Sequence, residues 1–164
     1  MTLEELQNAW ADDCIIDDNH LDAESVNTAK LHSKYLNHLI RYKLQLAKMK
    51  ADYNTLRQQK FRYYRGELSR EEITLLGWEQ WQGIKPLKNE MDEFLSGDSD
   101  LNRLEIKSNY IQNIVEFLES VMNQIKARDW QIRNSIEWKK FIRDRKSTRL
   151  NSSHIPLSRM PSSA

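Results

Sequence analysis

From Tyr35 to Tyr63 the positions Tyr35, Leu39, Tyr42, Leu46, Met49, Tyr53, Leu56, Lys60 and Tyr63 follow one another at alternating steps of four and three. Only a helix turns residues spaced in this way onto one side, and sustained over several heptads the repeat is a seam for packing against another helix. The helical pattern begins near Asp22 and holds to Gly66, which predicts one helix of about 66 Å at ~1.5 Å per residue, closed by glycine as a C-cap. A second seam runs through Leu101, Leu104, Ser108, Ile111, Val115, Leu118, Met122 and Ile125, and Ile132 and Ile136 keep its register. Ile114 and Val121 widen this stripe beyond two positions per heptad, which suits a bundle of more than two helices.

The rest of the chain reads as short elements between these two. Leu3, Leu6 and Trp10 give residues 3–11 a short amphipathic helix, followed by a loop with an apolar clasp at Ile15 and Ile16. Ser69 and Glu72 form a capping-box pattern that opens a short helix. Gly77 and Gly83 bracket Trp78 and Trp81; Pro86 opens a helix to about Ser96, and Asp98 or Ser99 caps the last long element. Only four glycines and three prolines occur in 164 residues, and no strand-like alternation of useful length is present, so the predicted class is all-α. The expected architecture is a long basic helix, short middle helices and a long C-terminal heptad-patterned helix that forms an oligomeric helical bundle. Three regions are expected: 1–98, 99–143 and 144–164. The last, Asp144–Ala164, has no helical or strand period and resembles a translated sequencing-library adapter in the strings DRKSTRLNSSH and SRMPSSA. A disordered, artefactual extension is expected there, with the natural chain ending near Arg143.

The net charge of +1 conceals blocks. Residues 1–29 carry eight acids and no lysine or arginine; residues 30–70 carry eleven bases and two acids. Residues 71–124 carry four bases and eleven acids, and residues 125–143 six bases and two acids. A solvated helix face ordinarily mixes signs, so the basic block points to a negatively charged partner or to the acidic block of the same chain. No apolar run is long enough to span a membrane, and the single Cys14 fits a reducing cytoplasm.

The motifs of common catalysis are missing. There is no glycine-rich phosphate loop, no G-x-S-x-G and no H-E-x-x-H. His32 and His38 are six residues apart, a poor spacing for one metal, and the calcium-loop-like start at Asp98 has Arg103 where glycine is needed. The acids Asp12, Asp13, Asp17 and Asp18 read as a solvated or protein-docking face. No enzyme, cofactor or metal is expected.

The densest cluster of chemistry is Arg57, Lys60, Arg62, Tyr63, Tyr64 and Arg65 at the end of the basic helix. Bases suit phosphates and tyrosine rings suit unstacked bases, a combination that favours single-stranded nucleic acid. Adjacent tyrosines on a helix point about 100° apart; Tyr63 is expected in the seam, with Tyr64 and Lys60 at the surface. Along the same helix Lys34, Arg41, Lys48 and Arg62 recur on one flank, and Lys43, Lys50 and Arg57 on the other. The plainer alternative is a structural coiled-coil adaptor whose basic helix docks an acidic protein partner.

These residues resemble the UvsY recombination mediator family of tailed phages. Leu3-Glu4-Glu5-Leu6-Gln7, Asp13 with Ile16-Asp17, and Leu31-His32-Ser33-Lys34-Tyr35-Leu36 are similar to that family's N-terminal half, and Ile136-Glu137-Trp138-Lys139-Lys140-Phe141 to its end. The family's DNA-binding motif Leu-Lys-x-Arg-Leu-x-Tyr-Tyr is matched by Arg57 to Tyr64, with Gln58 at the first basic position, Lys60 at the second and both tyrosines kept. The resemblance covers about residues 1–142. It implies a non-catalytic mediator in the host cytoplasm that binds single-stranded DNA and helps load a RecA-like recombinase (UvsX) onto strands coated by single-strand-binding protein. It also implies a homo-oligomer, a hexamer or heptamer ring held through the C-terminal helices. On that reading Leu104, Ile111, Val115, Leu118, Met122 and Ile125 are the expected oligomerisation residues.

Overall fold

A computed structural model describes residues 1–152 as five helices: α1 (Leu3–Asp13), α2 (Leu21–Tyr64), α3 (Arg70–Leu76), α4 (Met91–Ser96) and α5 (Ser99–Ser152), with no strand among the described residues. The all-α class is therefore as predicted. None of the helices is long and apolar enough to cross a membrane.

Their ends follow local hydrogen-bond chemistry. In α1 the Thr2 hydroxyl accepts from the Glu5 N–H and the Glu5 carboxylate accepts from the Thr2 N–H; Ser69 and Glu72 repeat this reciprocal cap on α3. Each box satisfies donors that the first turn of a helix leaves open. The end of α2 is a Schellman turn: Gly66 (φ 72°) donates to the Tyr63 carbonyl and Glu67 to the Arg62 carbonyl, both at 3.0 Å. Asp98 caps α5, accepting at Oδ1 from the N–H groups of Asp100 and Leu101 at 3.0 Å each. The helix expected from Pro86 starts later. The Leu87 N–H donates to the Glu90 carboxylate at 3.1 Å, the Leu87 carbonyl accepts from Glu90 and Met91, and the helix begins only at Met91. Ile15, expected in an apolar clasp, is exposed.

A second difference lies at the far end. Residues 144–152, expected to be disordered, continue α5. Residues 144–151 are all exposed; the main-chain ladder runs on through residues with no helix breaker, and the Thr148 hydroxyl donates to the Asp144 carbonyl. Residues 153–164 of the expected tail lie outside the described residues.

The chain divides into two compact units, each of which takes part of α2 and part of α5. The first contains Met1–Lys34 and the chain from Val121 on. Leu6, Leu21, Leu31, Val121, Met122, Ile125 and Ile132 are its buried apolar residues. Its acidic opening segment is held by bases of α5: the Lys139 ammonium pairs with Asp18, and Arg128, only 3% exposed, pairs with Glu24. The Arg128 guanidinium also donates to the carbonyls of Cys14 (3.1 Å) and Ile15 (3.3 Å), tying down the loop between α1 and α2. The Trp10 indole N–H donates to Gln124, and Lys34 pairs with Asp13.

The second unit is Tyr35–Ser120. Here α2 and α5 run antiparallel, as Lys43–Glu119 at 2.7 Å near one end and Lys60–Asp100 at 2.8 Å near the other require. Tyr35, Leu39, Tyr42 and Leu46 of the α2 seam are buried, as are Leu101, Ile111, Ile114, Val115 and Leu118 of α5. The expected oligomerisation residues lie along this stripe. Ile111, Val115, Leu118, Met122 and Ile125 are buried within their own chain, and Leu104 is half-buried. The heptad stripe of α5 is occupied by the chain's own helices.

Arg128→Met should destabilise the fold by about 3–5 kcal/mol, because it strands the Glu24 carboxylate and two loop carbonyls; a lowered urea midpoint measures this. In the same loop the His20 ring, hydrogen-bonded to Asp17 at 2.7 Å, is held protonated to a higher pH than the usual 6.5, while that bond and the Asn19 N–H hold Asp17 below its usual range. The pair therefore contributes between these limits, weakening as pH rises through the His20 pKa and as it falls through that of Asp17. By NMR, His20 should titrate above 6.5, and Asp17→Asn should bring it down toward that value.

Candidate nucleic-acid interface

The expected binding cluster lies on the last turns of α2, in the second unit. Helical geometry sorts its six residues into two groups. Lys60 and Tyr64, one turn apart, face the fold; Arg57, Arg62 and Arg65 stay exposed or half-exposed, and Tyr63 is half-buried.

Lys60 is 6% exposed and Tyr64 9%, so the surface placement expected for both is corrected. The cause is Asp98. Its Oδ1 caps α5, while its Oδ2 accepts from the Tyr64 hydroxyl at 2.7 Å and lies 3.1 Å from the Lys60 ammonium. Asp100 adds a second carboxylate 2.8 Å from the same ammonium. A buried ammonium persists only with such partners, and here it has two, with the Trp78 ring 4.2 Å away as a third favourable contact. Burial alone would raise the Asp98 pKa. The hydrogen bonds from Tyr64, the Leu101 N–H and Lys60 outweigh it and hold the carboxyl below its usual range. Burial first, and then the bond to Asp98, push the Tyr64 phenol well above its ordinary value, so it remains a donor.

The aromatic residues form one cluster. Tyr64 meets Trp81 edge-on at 4.9 Å and Phe94 at 5.8 Å; Tyr63 meets Trp78 edge-on at 5.2 Å. Met91, Leu95 and Leu101 close the cluster from beneath. The Tyr63 hydroxyl donates to the Glu79 carbonyl at 2.6 Å, which fixes the ring beside a cleft shared with Gln80, Trp81, Gln82 and Gly83. A Cβ on Gly83 would stand 2.3 Å from the Trp81 ring, so glycine is required there for close approach.

Each exposed arginine has a carboxylate neighbour from the following segment: Arg57 with Asp92 at 3.1 Å, Arg62 with Glu72 at 3.5 Å and Arg65 with Glu67 at 3.1 Å. Such solvent-exposed pairs contribute only about 0–1 kcal/mol and exchange readily for another anion. The arrangement can present three guanidinium groups and one partly open tyrosine ring to a phosphate-bearing strand. Sequence reasoning missed Asp98, Asp100, Trp78 and Trp81 as members of this cluster; Asp98 was legible only as a helix cap.

The model of the family described as "Recombination, repair and ssDNA binding protein UvsY" matches residues 9–144. The chain belongs to the UvsY family. Recombination protein uvsY of Enterobacteria phage T4 is 26% identical over 141 residues, which span 86% of this chain and 97% of that protein. Two crystal structures of the bacteriophage T4 recombination mediator protein UvsY, in lattice types IV and II, superpose with TM-scores of 0.75 at 25% and 26% identity. Each alignment covers 86% of this chain, and 99% and 97% of the respective UvsY chains. The match to the family model thus takes in the end of α1, all of α2 to α4 and most of α5, including the whole aromatic and basic cluster.

Lys60→Ala should lower stability by about 3–5 kcal/mol, since it leaves the buried Asp98 carboxylate without its cation, and Tyr64→Phe by about 1–3 kcal/mol. Arg57→Ala and Arg65→Ala should change it by no more than about 0.5 kcal/mol. Thermal unfolding followed by circular dichroism separates the two groups; equal effects from all four would contradict this sorting.

Proposed function

We propose that the protein is a non-catalytic recombination mediator: it binds single-stranded DNA and helps a RecA-like recombinase load onto strands covered by single-strand-binding protein, in the host cytoplasm. The observation that carries this reading is the set of three exposed guanidinium groups, Arg57, Arg62 and Arg65, beside the half-buried Tyr63 in a chain of the UvsY family. Lys60 and Tyr64 hold that surface in place from inside. Phosphates replace the weakly held carboxylates on the arginines, and an unstacked base lies on Tyr63, a contact worth roughly 1–3 kcal/mol.

Self-association multiplies such contacts along one strand. Beside the stripe of Leu104, Ile111, Val115, Leu118, Met122 and Ile125, α5 offers for it the exposed rings of Trp130, Trp138 and Phe141, the last two stacked at 5.6 Å. A second reading, an adaptor whose basic helix docks an acidic protein, is favoured by the own-chain carboxylates already on the arginines.

Fluorescence anisotropy with a labelled oligonucleotide tests the first reading. Arg57→Gln with Arg65→Gln should weaken binding to every sequence while flattening the dependence of log K on log salt by well under the ~0.7 per contact of an unpaired cation, because the displaced carboxylates take a counterion back. Unchanged affinity and slope would favour the adaptor. Trp138→Ser with Phe141→Ser should reduce the sedimentation mass while the helical signal persists; an unchanged mass would remove these rings from the assembly surface.

A further inference from the structure

The outward face of α2 carries a feature that the arginine cluster does not use. Arg41 and Lys48 lie seven residues apart on one flank, about 10.5 Å along the axis, and both are exposed. Among the described residues neither has a carboxylate within ion-pairing distance. Asp52, the one acid of α2 beyond Glu24, sits a turn after Lys48 without pairing to it. From Lys43 on, the other bases of α2 except Lys50 meet a carboxylate of the same chain: Lys43 with Glu119, then Arg57, Lys60 and Arg62. Between the two free cations stands Leu44, 67% exposed, with Ile40 one turn before it at 49%. Large aliphatic side chains left open beside unneutralised cations on a helix face form a surface for a ligand that is anionic along one edge and apolar along the other. A single nucleic-acid strand has that chemistry, whereas a duplex turns its base faces inward.

We propose that Arg41, Leu44, Lys48 and Ile40 form a second single-strand contact on α2, with phosphates on the two cations and base faces on the two aliphatic side chains. This rests on the single-stranded-DNA reading above and extends it: the strand follows the outward face of α2 toward Arg62, which lies fourteen residues beyond Lys48 on the same flank. Charge complementarity selects the strand over a second copy of the chain, because two such faces would set unpaired cations against each other.

The test is a salt titration of the full chain against labelled oligothymidylate, comparing wild type, Arg41→Gln/Lys48→Gln, Leu44→Ser, and Lys43→Gln as a control on the other flank. Because Arg41 and Lys48 have no carboxylate to return to, each should contribute its full share, so the double variant should flatten the slope by about 1.4 and weaken binding on the order of tenfold near 0.15 M salt. Leu44→Ser should weaken binding with the slope retained, and Lys43→Gln should change the slope least. A double variant with wild-type slope would overturn the proposal, as would a Leu44→Ser protein that binds normally but sediments at lower mass, which would make this face an interface between copies. Wild type that binds no oligonucleotide would instead overturn the reading on which the proposal rests.

Discussion

One carboxylate organises the end of the molecule that carries the candidate interface. Asp98 begins α5 with one oxygen and receives Tyr64 and Lys60 of α2 with the other. Charge-assisted bonds of this kind are strong only when the network is complete, and a partly satisfied one costs more than an apolar core. The segment between the two helices is short of regular structure, with only α3 and α4 in it. The Asp98 network and the ring cluster above it therefore determine where Arg57, Arg62 and Arg65 stand.

The charge blocks of the sequence acquire a physical meaning in the two units. In the first, the acidic opening residues meet bases of α5: Asp18 with Lys139 and Glu24 with Arg128. In the second, the basic stretch of α2 meets acids that follow it in the chain: Arg57 with Asp92, Lys60 with Asp98 and Asp100, and Lys43 with Glu119. An overall charge near zero thus rests in part on local neutralisations, and Arg41 and Lys48, beside the exposed Leu44, stand outside them.

The seams, the Ser69 and Glu72 capping box, the glycine end of α2 and the aspartate start of α5 were legible in the sequence because each depends on residues within a turn or two of one another. What depended on distant partners was not. Lys60 looked like a surface base because its acids lie about forty positions later. A seam that steps by three or four fits Tyr63 and Tyr64 equally well, and the Asp98 carboxylate, accepting from the Tyr64 hydroxyl, selects Tyr64 for the interior. On α5 the heptad stripe records that a helix is covered and says nothing of which chain covers it. Arg128 carried no local signal at all; its partners Cys14, Ile15 and Glu24 are more than a hundred residues away.

The own-chain ion pairs of Arg57, Arg62 and Arg65 bear on the thermodynamics of any anion that lands there. A phosphate arriving at such a guanidinium completes an exchange reaction: the strand gives up a condensed cation, and the displaced carboxylate of Asp92, Glu72 or Glu67, facing solvent alone again, attracts one back. Ion release at these positions is largely cancelled inside the protein. A binding isotherm repeated across ionic strengths would then count the unpaired cations of the surface and pass over the paired ones, so that a modest salt dependence is compatible with an extensive charged footprint.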